Sequence, residues 1–235
     1  MGCRPGDSTS SGPCVVLESS QLTCWHPLEM AVRRAFAASA AGLALAAVGS
    51  AGADSATNAD PALARAMQRG GLVLVLRHAA TDFSKPDQDP VVLSDCSTQR
   101  NLNAQGRADA RTIGRGVRRL RLRIGNVFAS PFCRTKETAR LAFGRFRISP
   151  ALLNTVDAEH DARWRRQIQA ARRLLGAKPA PGMLTVLVTH GSVVSDTTGH
   201  TLEEGETLVF RPLSSSRFRL LGRILPGEWR MLKPT

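Results

Sequence analysis

Residues 72–82, LVLVLRHAATD, place five consecutive aliphatic residues directly before an arginine and a histidine. A run that is apolar at every position fits a strand of a parallel sheet with both faces covered. Such a strand normally ends at a turn residue, whereas this one ends at Arg77 and His78, which can both bind a phosphate group. A histidine with a purely structural role is the alternative, and this stretch alone leaves it open.

Two further strands are predicted to end in similar chemistry. The stretch MLTVLVTHG, residues 183–191, runs into His190, and NVFAS, residues 126–130, precedes a helix with Arg134 in its first turn. Ligands of parallel α/β sheets bind outside the carboxyl ends of the strands, and helix N-termini favour anions. Arg77, His78, Arg134 and His190 are therefore predicted to converge on one phosphate site.

The remaining chain alternates between helical and strand patterns, which predicts an α/β fold with a mainly parallel sheet. Residues 80–101 are polar and predict a long loop, a feature that is usually functional in a compact domain. Helices are predicted at 61–69, 103–120, 131–143 and 158–175, and strands at 72–77, 126–130, 145–149, 183–191, 207–211, 217–221 and 229–232.

The composition is that of an ordinary globular protein, with 43% hydrophobic and 22% charged residues among 235. The formal net charge of +13 would suit nucleic-acid binding through phosphate contacts. However, the arginines are dispersed, tyrosine is absent, and no helix-turn-helix pattern accompanies them. We therefore expect an anionic small substrate or an anionic envelope surface as the partner, and no nucleic acid.

The amino-terminal third has the pattern of an export signal. From Met30, the pair Arg33-Arg34 leads into an uncharged apolar stretch that ends at the A-x-A pattern of residues 51–53. The arginine pair also matches the twin-arginine signal, and the sequence leaves the export route open. We predict a signal peptide at 30–53, and a mature single domain at 54–235 that is periplasmic or extracellular and has no stable membrane span.

Residues 1–29 precede this predicted signal, although signal peptides begin at the start of a chain. The simplest interpretation is that Met30 is the native start and that 1–29 come from an upstream start codon. An unusually long positively charged region before the apolar stretch is the alternative. The sequence gives no indication of the oligomeric state.

Two cysteines, Cys96 and Cys133, remain in the predicted mature chain. In an exported protein, two cysteines suggest one disulfide. If the 80–101 loop folds back over the site, this bond would hold the loop beside Arg134. Neither cysteine has the spacing of a metal ligand, so we expect no metal and no cofactor.

Four sequence elements resemble those of the histidine phosphatase superfamily, in the family's order. The R-H-G element appears as residues 77–79, and L-x-x-x-G-x-x-Q-A as residues 102–110. S-P-x-x-R-x-x-x-T-A appears without exceptions as residues 130–139, and the late H-G as residues 190–191. The elements span most of the predicted mature chain. The resemblance implies a three-layer α/β/α sandwich of the phosphoglycerate mutase type.

The resemblance also implies a mechanism. His78 would attack phosphorus to give a phosphohistidine, which water then cleaves. Arg77 and Arg134 would hold the phosphoryl oxygens, and His190 would complete the site and stabilise charge in the transition state. These protein cations would take the place of a metal ion.

The chain departs from the family pattern in several places. Ala79 replaces a glycine, which is tolerated if its φ stays negative, and Asp109 replaces a glutamine away from the site. The segment 150–154 lacks the glutamate of mutase-like members, and Gly191 follows the late histidine where another branch has aspartate. Candidates to protonate the leaving group are Asp82, Asp157 and Glu206, and Thr81 is a further candidate for substrate contact.

Without the mutase glutamate, hydrolysis is favoured over phosphoryl shuttling. We therefore expect an exported, metal-independent phosphohydrolase that acts on phosphate monoesters. A phosphomutase, and a phospholigand-binding protein that has lost turnover, are the alternatives. Exported members of the family include phosphatases of envelope sugar phosphates such as lipopolysaccharide core heptose phosphate, which suggests a substrate class.

Overall fold

A mixed sheet lies at the centre of the part of the chain that the computed structural model describes, residues 60–156 and 160–234. The predicted extension 1–29 and the predicted signal peptide 30–53 lie outside these residues. The strands are β1 (Leu72–Arg77), β2 (Ile124–Ala129), β3 (Arg147–Ile148), β4 (Leu184–Thr189), β5 (Thr207–Ser214) and β6 (Arg217–Ile224). The helices are α1 (Pro61–Arg69), α2 (Ala104–Arg119), α3 (Cys133–Phe143), α4 (Ala162–Gly176) and α5 (Gly191–Thr198).

The strand order is β3-β2-β4-β1-β5-β6. Strands β3, β2, β4 and β1 run parallel to one another, whereas β5 pairs antiparallel with β1 and with β6. The first strand and β4 therefore lie in the interior of the sheet. The predicted α/β fold with a mainly parallel sheet is confirmed.

Helices cover both faces of the sheet, as the continuous apolar run of β1 requires. On one face, Leu74 of β1 packs in a cluster with Ile113 of α2, and on the other Val75 packs with Leu175 of α4 and Val194 of α5. Each such side chain stabilises the fold by about 1.5–3 kcal/mol relative to exposure. The result is the predicted three-layer α/β/α sandwich.

The strand predicted at 229–232 is wrong, because residues Glu228–Arg230 form a 3-10 turn. Trp229 is 1% exposed and packs against Gly116 of α2, where a Cβ atom would approach the indole to 2.8 Å. The Arg119 guanidinium also donates hydrogen bonds to the backbone carbonyls of Trp229 and Leu232. Packing on α2, rather than pairing with a strand, fixes this segment.

Helix α5 was not predicted, and the strand predicted at 183–191 ends at Thr189. The helix sequence GSVVSDTT is rich in residues of low helix propensity, so no local pattern indicates it. Tertiary contacts stabilise it instead, because Val193 and Val194 are buried. Its position matters for the site, since α5 begins directly after His190.

Smaller differences concern the ends of elements. The helix predicted at 158–175 begins at Ala162, with the Asp161 side chain capping the Trp164 amide at 2.8 Å. The strand predicted at 145–149 contains two residues, and the 80–101 loop contains a short 3-10 turn at Cys96–Thr98. No helix of the described residues is long and apolar enough to cross a membrane.

Candidate active site

Three parallel strands end side by side and bring their next residues to one edge of the sheet. Arg77 of β1 pairs with Thr189 of β4, and the His78 amide donates to the Thr189 carbonyl at 2.9 Å. The Ser130 amide, directly after β2, donates to the carbonyl of Val188 at 3.0 Å. The carboxyl ends of β1, β2 and β4 therefore form one surface.

A cavity of about 320 Å³ opens at this edge. All four of the residues predicted to meet here, Arg77, His78, Arg134 and His190, line it. A third arginine, Arg100, comes from the 80–101 loop. Small polar residues also line the cavity: Asn154, Ser192, Ser195 and Thr201.

The position of His78 determines which ring nitrogen is free. His78 is 2% exposed, and its Nδ1 lies 3.0 Å from the carbonyl oxygen of Ala79. A carbonyl only accepts hydrogen bonds, so Nδ1 carries the proton in the neutral ring. The Nε2 atom then keeps its lone pair and is the ring nitrogen that is able to act as a nucleophile.

The second histidine lies against the first. The ring centroids of His78 and His190 are 5.4 Å apart, at an edge-on angle of 64°. His190 Nε2 is 2.9 Å from the Ser130 hydroxyl, and the ring contacts Phe132 with centroids 5.0 Å apart. Packing and one hydrogen bond thus fix the orientation of His190.

Both histidines are neutral at neutral pH. Burial lowers the pKa of His78 from 6.5 to about 3. The hydrogen bond to the Ala79 carbonyl raises this pKa, whereas the charges of Arg134, Arg77 and Arg100 lower it. Burial, followed by the charges around it, also holds the pKa of His190 well below its usual value. A neutral His78 is the form that can act as a nucleophile.

These pKa shifts predict how stability depends on pH. In the unfolded chain His78 binds a proton below about pH 6.5, whereas in the folded protein it does so only near pH 3. The contribution of His78 to the free energy of unfolding is therefore complete above pH 6.5 and decreases as the pH drops toward 3. Lowering the pH from 7.5 to 5.5 should cost about 1.4 kcal/mol for His78, and His190 should add a loss in the same direction. Urea unfolding in phosphate-free buffer measures this, and His78→Gln should remove the loss that His78 causes. An equal loss in the variant and the wild type would contradict the assignment.

Arg134 is a buried cation whose surroundings fix its orientation. Its side chain is 1% exposed, its Nη1 donates to Asp87 Oδ1 at 2.9 Å, and the guanidinium lies 4.2 Å above the Phe132 ring centroid. Arg77 is held by a 2.7 Å hydrogen bond from Nη1 to the Leu202 carbonyl. Both guanidinium groups are therefore placed before any ligand binds.

Four buried nitrogen atoms of residues that line this cavity have no hydrogen-bond partner among the described residues. They are the Nε atoms of Arg77, Arg100 and Arg134, and Nδ1 of His190. Buried polar groups are normally paired, so several unpaired donors lining one cavity need an explanation. An oxyanion with several acceptor oxygens, such as a phosphoryl group, would satisfy them.

A comparison with known families agrees with this geometry. Residues 73–157 match the profile of the histidine phosphatase superfamily (branch 1). Over these residues the chain is similar to that superfamily. His190 lies beyond the matched segment, so its place in the site rests on the structure.

Solved histidine phosphatase structures are similar to the chain at low identity. The protein histidine phosphatase SixA in complex with tungstate is 17% identical, with coverage of 66% of this chain and 97% of that one and a TM-score of 0.44. Phosphoserine phosphatase from Entamoeba histolytica is 11% identical, with coverage of 67% and 98% and a TM-score of 0.45. Mycobacterial glucosyl-3-phosphoglycerate phosphatase is 15% identical, with coverage of 65% and 97% and a TM-score of 0.43. No curated protein matches the sequence significantly.

The site contains a carboxylate beside His78 that the sequence analysis did not single out. Glu204 accepts hydrogen bonds from the amide of Thr81 at 3.2 Å and from its hydroxyl at 2.7 Å. Glu204 Oε1 lies 3.8 Å from His78 Nδ1 and 3.8 Å from Arg77 Nη2. This contact spans more than 120 residues of sequence, and no local pattern separates Glu204 from its two neighbouring glutamates. Thr81, a predicted substrate contact, is 2% exposed and holds this carboxylate.

The carboxylates predicted as proton donors have other surroundings. Asp82 Oδ1 accepts from the amide and hydroxyl of Ser84, which stabilises its own turn and lowers the pKa of Asp82. Glu206 is 4% exposed, lies 2.8 Å from Arg223 and accepts from the Glu203 amide. Neither Asp82 nor Glu206 lines the cavity, and the described residues that do line it include no carboxylate. Asp157 lies outside the described residues.

The structure accommodates the residues that depart from the family pattern. Among the described residues other than glycine, only Arg121 has a positive φ, so Ala79 keeps the expected negative φ, and its amide donates to Thr138 at 3.1 Å. Asp109 accepts from Gln105 at 2.8 Å on α2, away from the cavity. At Gly106 a Cβ would lie 2.0 Å from the Ala80 carbonyl, so glycine allows α2 to approach the end of β1.

The predicted pairing of Cys96 with Cys133 is present as a disulfide. It joins the 80–101 loop to the first residue of α3, next to Arg134. The Gln99 side chain adds a second tie, because it accepts from the Cys133 amide at 2.8 Å. Closing a loop of 37 residues stabilises a fold by about 4 kcal/mol through the entropy of the unfolded chain. Among residues 60–156 and 160–234, no cluster of three or more His, Cys, Asp or Glu could hold a metal ion.

Proposed function

We propose that this protein is an exported, metal-independent phosphohydrolase that cleaves phosphate monoesters through a phosphohistidine on His78. The observation that carries the proposal is the set of four unpartnered buried donors around a neutral histidine. A phosphate monoester dianion would accept from these donors and bring its phosphorus to His78 Nε2. The guanidinium forks of Arg77 and Arg134 match phosphoryl oxygens in charge and geometry.

The first chemical step forms a bond between His78 Nε2 and phosphorus, while the bond from phosphorus to the ester oxygen breaks. The leaving oxygen takes a proton from solvent or departs as a stable phenolate when the ester is an aryl phosphate. Arg77, Arg134 and His190 stabilise the charge on the phosphoryl oxygens, which commonly lowers a barrier by several kcal/mol. Water then attacks phosphorus, the bond to Nε2 breaks, and inorganic phosphate leaves.

Glu204 has a place in this mechanism. Phosphorylation at Nε2 gives the ring a positive charge, because Nδ1 keeps its proton on the Ala79 carbonyl. The carboxylate 3.8 Å from Nδ1 offsets that charge and holds Arg77 in place. Glu204→Gln keeps the acceptor for Thr81 and removes the charge, so we expect kcat to fall about tenfold with little change in thermal stability. Equal kcat values in steady-state assays would exclude this role.

The same site supports independence from metals, since three guanidinium groups supply the positive charge that a metal would bring. Purified protein in EDTA should therefore hydrolyse a generic aryl phosphate as fast as without EDTA, and His78→Ala should not. A rate that EDTA abolishes and Mg²⁺ restores would refute the metal-independent mechanism.

Because the cavity wall carries no carboxylate among the described residues, a phospholigand-binding protein is the second candidate. Phosphate binding without turnover of any ester would favour it.

The small polar residues that line the cavity support a sugar phosphate as substrate. Asn154, Ser192, Ser195 and Thr201 offer hydroxyl and amide groups suited to sugar hydroxyls. We therefore expect higher kcat/KM for hexose or heptose phosphates than for an alkyl phosphate of similar size. A preference for the alkyl phosphate would oppose this substrate class.

Export to the periplasm or the cell exterior is proposed from the sequence of residues 30–53. Cell fractionation with amino-terminal sequencing tests it. The expected result is a protein outside the cytoplasm that begins at Asp54. A cytoplasmic protein that retains residues 30–53 would refute export.

A further inference from the structure

Arg100 lies in the active-site cavity but belongs to none of the four sequence elements of the family resemblance. It lines the cavity together with Arg77 and Arg134. Its Nε is buried and has no hydrogen-bond partner, as is the case for the Nε atoms of those two arginines. Arg100 therefore presents the same kind of free donor to the same space.

Arg100 is also the least neutralised of the three arginines. Arg134 pairs with Asp87 at 2.9 Å, and Arg77 lies 3.8 Å from Glu204. In the described part of the chain, no carboxylate forms an ion pair with Arg100. Its guanidinium instead lies 4.3 Å above the centroid of the Phe83 ring, which holds a cation without neutralising it.

The charge of Arg100 reaches the catalytic centre. It is among the groups that lower the pKa of both His78 and His190, together with Arg77 and Arg134. Three guanidinium groups that line one cavity repel one another in the absence of an anion. Their arrangement becomes favourable when a phosphoryl dianion occupies the same space.

The backbone at Arg100 is fixed to the side chain of Arg134. The Arg100 amide donates to Asp87 Oδ1 at 2.7 Å, and this same oxygen accepts from Arg134. Four residues earlier, Cys96 forms the disulfide to Cys133, the neighbour of Arg134. The disulfide thus joins the loop to α3 where the two guanidinium groups enter the site.

We propose that Arg100 is a third guanidinium ligand of the phosphoryl anion, and that the Cys96–Cys133 disulfide holds the 80–101 loop so that Arg100 reaches it. This inference rests on the proposed function, because it takes a phosphorylated substrate as the ligand. It assigns the loop a role in binding that the family elements do not supply.

Calorimetric titration with inorganic phosphate tests the first part without depending on turnover. Arg100→Gln should raise the Kd for phosphate about tenfold or more, as expected for a lost hydrogen bond to a charged group. Arg100→Lys keeps the charge but not the Nε donor, and should give an intermediate Kd. Arg107→Gln is the matched control, because Arg107 pairs with Glu137 at 2.7 Å on α2 and does not line the cavity.

The disulfide is tested by a double-mutant cycle. The Cys96→Ser/Cys133→Ser variant should raise the Kd for phosphate several-fold, and adding Arg100→Gln should raise it little further, because both changes remove the same contact. Reducing the wild type with dithiothreitol, which is oxidised to its cyclic disulfide as two cysteine thiols form, should have the same effect. A purely structural disulfide would lower the melting temperature and leave the Kd of the folded protein unchanged.

Three outcomes would overturn the proposal. An unchanged Kd for phosphate in folded Arg100→Gln would show that Arg100 does not bind the anion, whether or not the protein hydrolyses an ester. Additive effects of the cysteine and arginine changes would separate the disulfide from Arg100. The absence of phosphate binding by the wild type at millimolar concentration would exclude an anion site. Binding that depends on Arg100 without hydrolysis of any ester would refute the proposed function and support this inference.

Discussion

Replacing His78 with alanine should lower kcat/KM for an aryl phosphate by about a thousandfold or more, since removal of a nucleophile leaves only the catalysis that binding and charge stabilisation provide. The structure gives the reason, because the unprotonated Nε2 of His78 lies among the unpartnered donors of Arg77, Arg134 and His190. The alanine variant should still bind inorganic phosphate, since those donors remain. Steady-state kinetics and calorimetry measure the two effects separately.

The controls for this experiment come from the same chain. His160→Ala removes an exposed histidine that contacts Trp164 and should leave the rate unchanged. His78→Asn retains a donor toward the Ala79 carbonyl, so it should fold even if the alanine variant is unstable. Wild-type protein mixed rapidly with substrate and quenched in alkali should contain a phosphohistidine, and both His78 variants should lack it. A His78 variant that retains a tenth of the wild-type rate would disprove the assignment of His78 as the nucleophile.

Replacing Arg134 with methionine should lower kcat/KM about 100- to 1000-fold, because a buried donor aimed at developing charge contributes far more than one in water. Arg134 is 1% exposed, and Asp87 and Phe132 hold it in place before substrate binds. Lysine at this position should recover only part of the loss, since it cannot present a planar fork. Phosphate ester kinetics at several pH values measure both variants.

Arg140→Met is the matched control for this prediction. Arg140 lies on α3 as well, but it is exposed and its guanidinium is 5.8 Å from the Phe146 ring centroid. We expect its kcat/KM to stay within about twofold of the wild type, as for a surface arginine outside the site. Equal losses in Arg134→Met and Arg140→Met would indicate a general effect of charge on α3 rather than a contact with phosphate.

The sequence predicted the parts of the site that lie at strand ends. Arg77, His78 and His190 could be placed because each follows an aliphatic run, and the carboxyl ends of parallel strands meet at one edge. The apolar run of β1 also predicted helices on both faces. These predictions were possible because they depend on local patterns and on one general property of parallel sheets.

Residues that enter the site from loops could not be predicted. Glu204, Asp87 and Arg100 reach it through contacts with residues far away in the sequence, and their own neighbours have no periodic pattern. Glu204 and Glu206 differ by two positions, yet one contacts Thr81 and the other pairs with Arg223. Which of them approaches His78 depends on the turn before β5, which only the tertiary structure reveals.

Helix α5 and the segment around Trp229 show the same limit for the fold. The helix consists of poor helix formers and is stabilised by burial, while the 229–232 segment resembles a strand but packs on α2. In both cases tertiary contacts outweigh the local preference.

The antiparallel pairing of β5 with β1 has a consequence for protein synthesis. This pairing brings the segment before β5 to the end of β1, where the Leu202 carbonyl holds Arg77 and Glu204 lies beside His78. Although His78 is made early, a ribosome must translate a further 126 codons before Glu204 exists. A nascent or prematurely terminated chain that lacks this segment would therefore contain the nucleophile without its support. Activity should arise only after the segment before β5 has been translated.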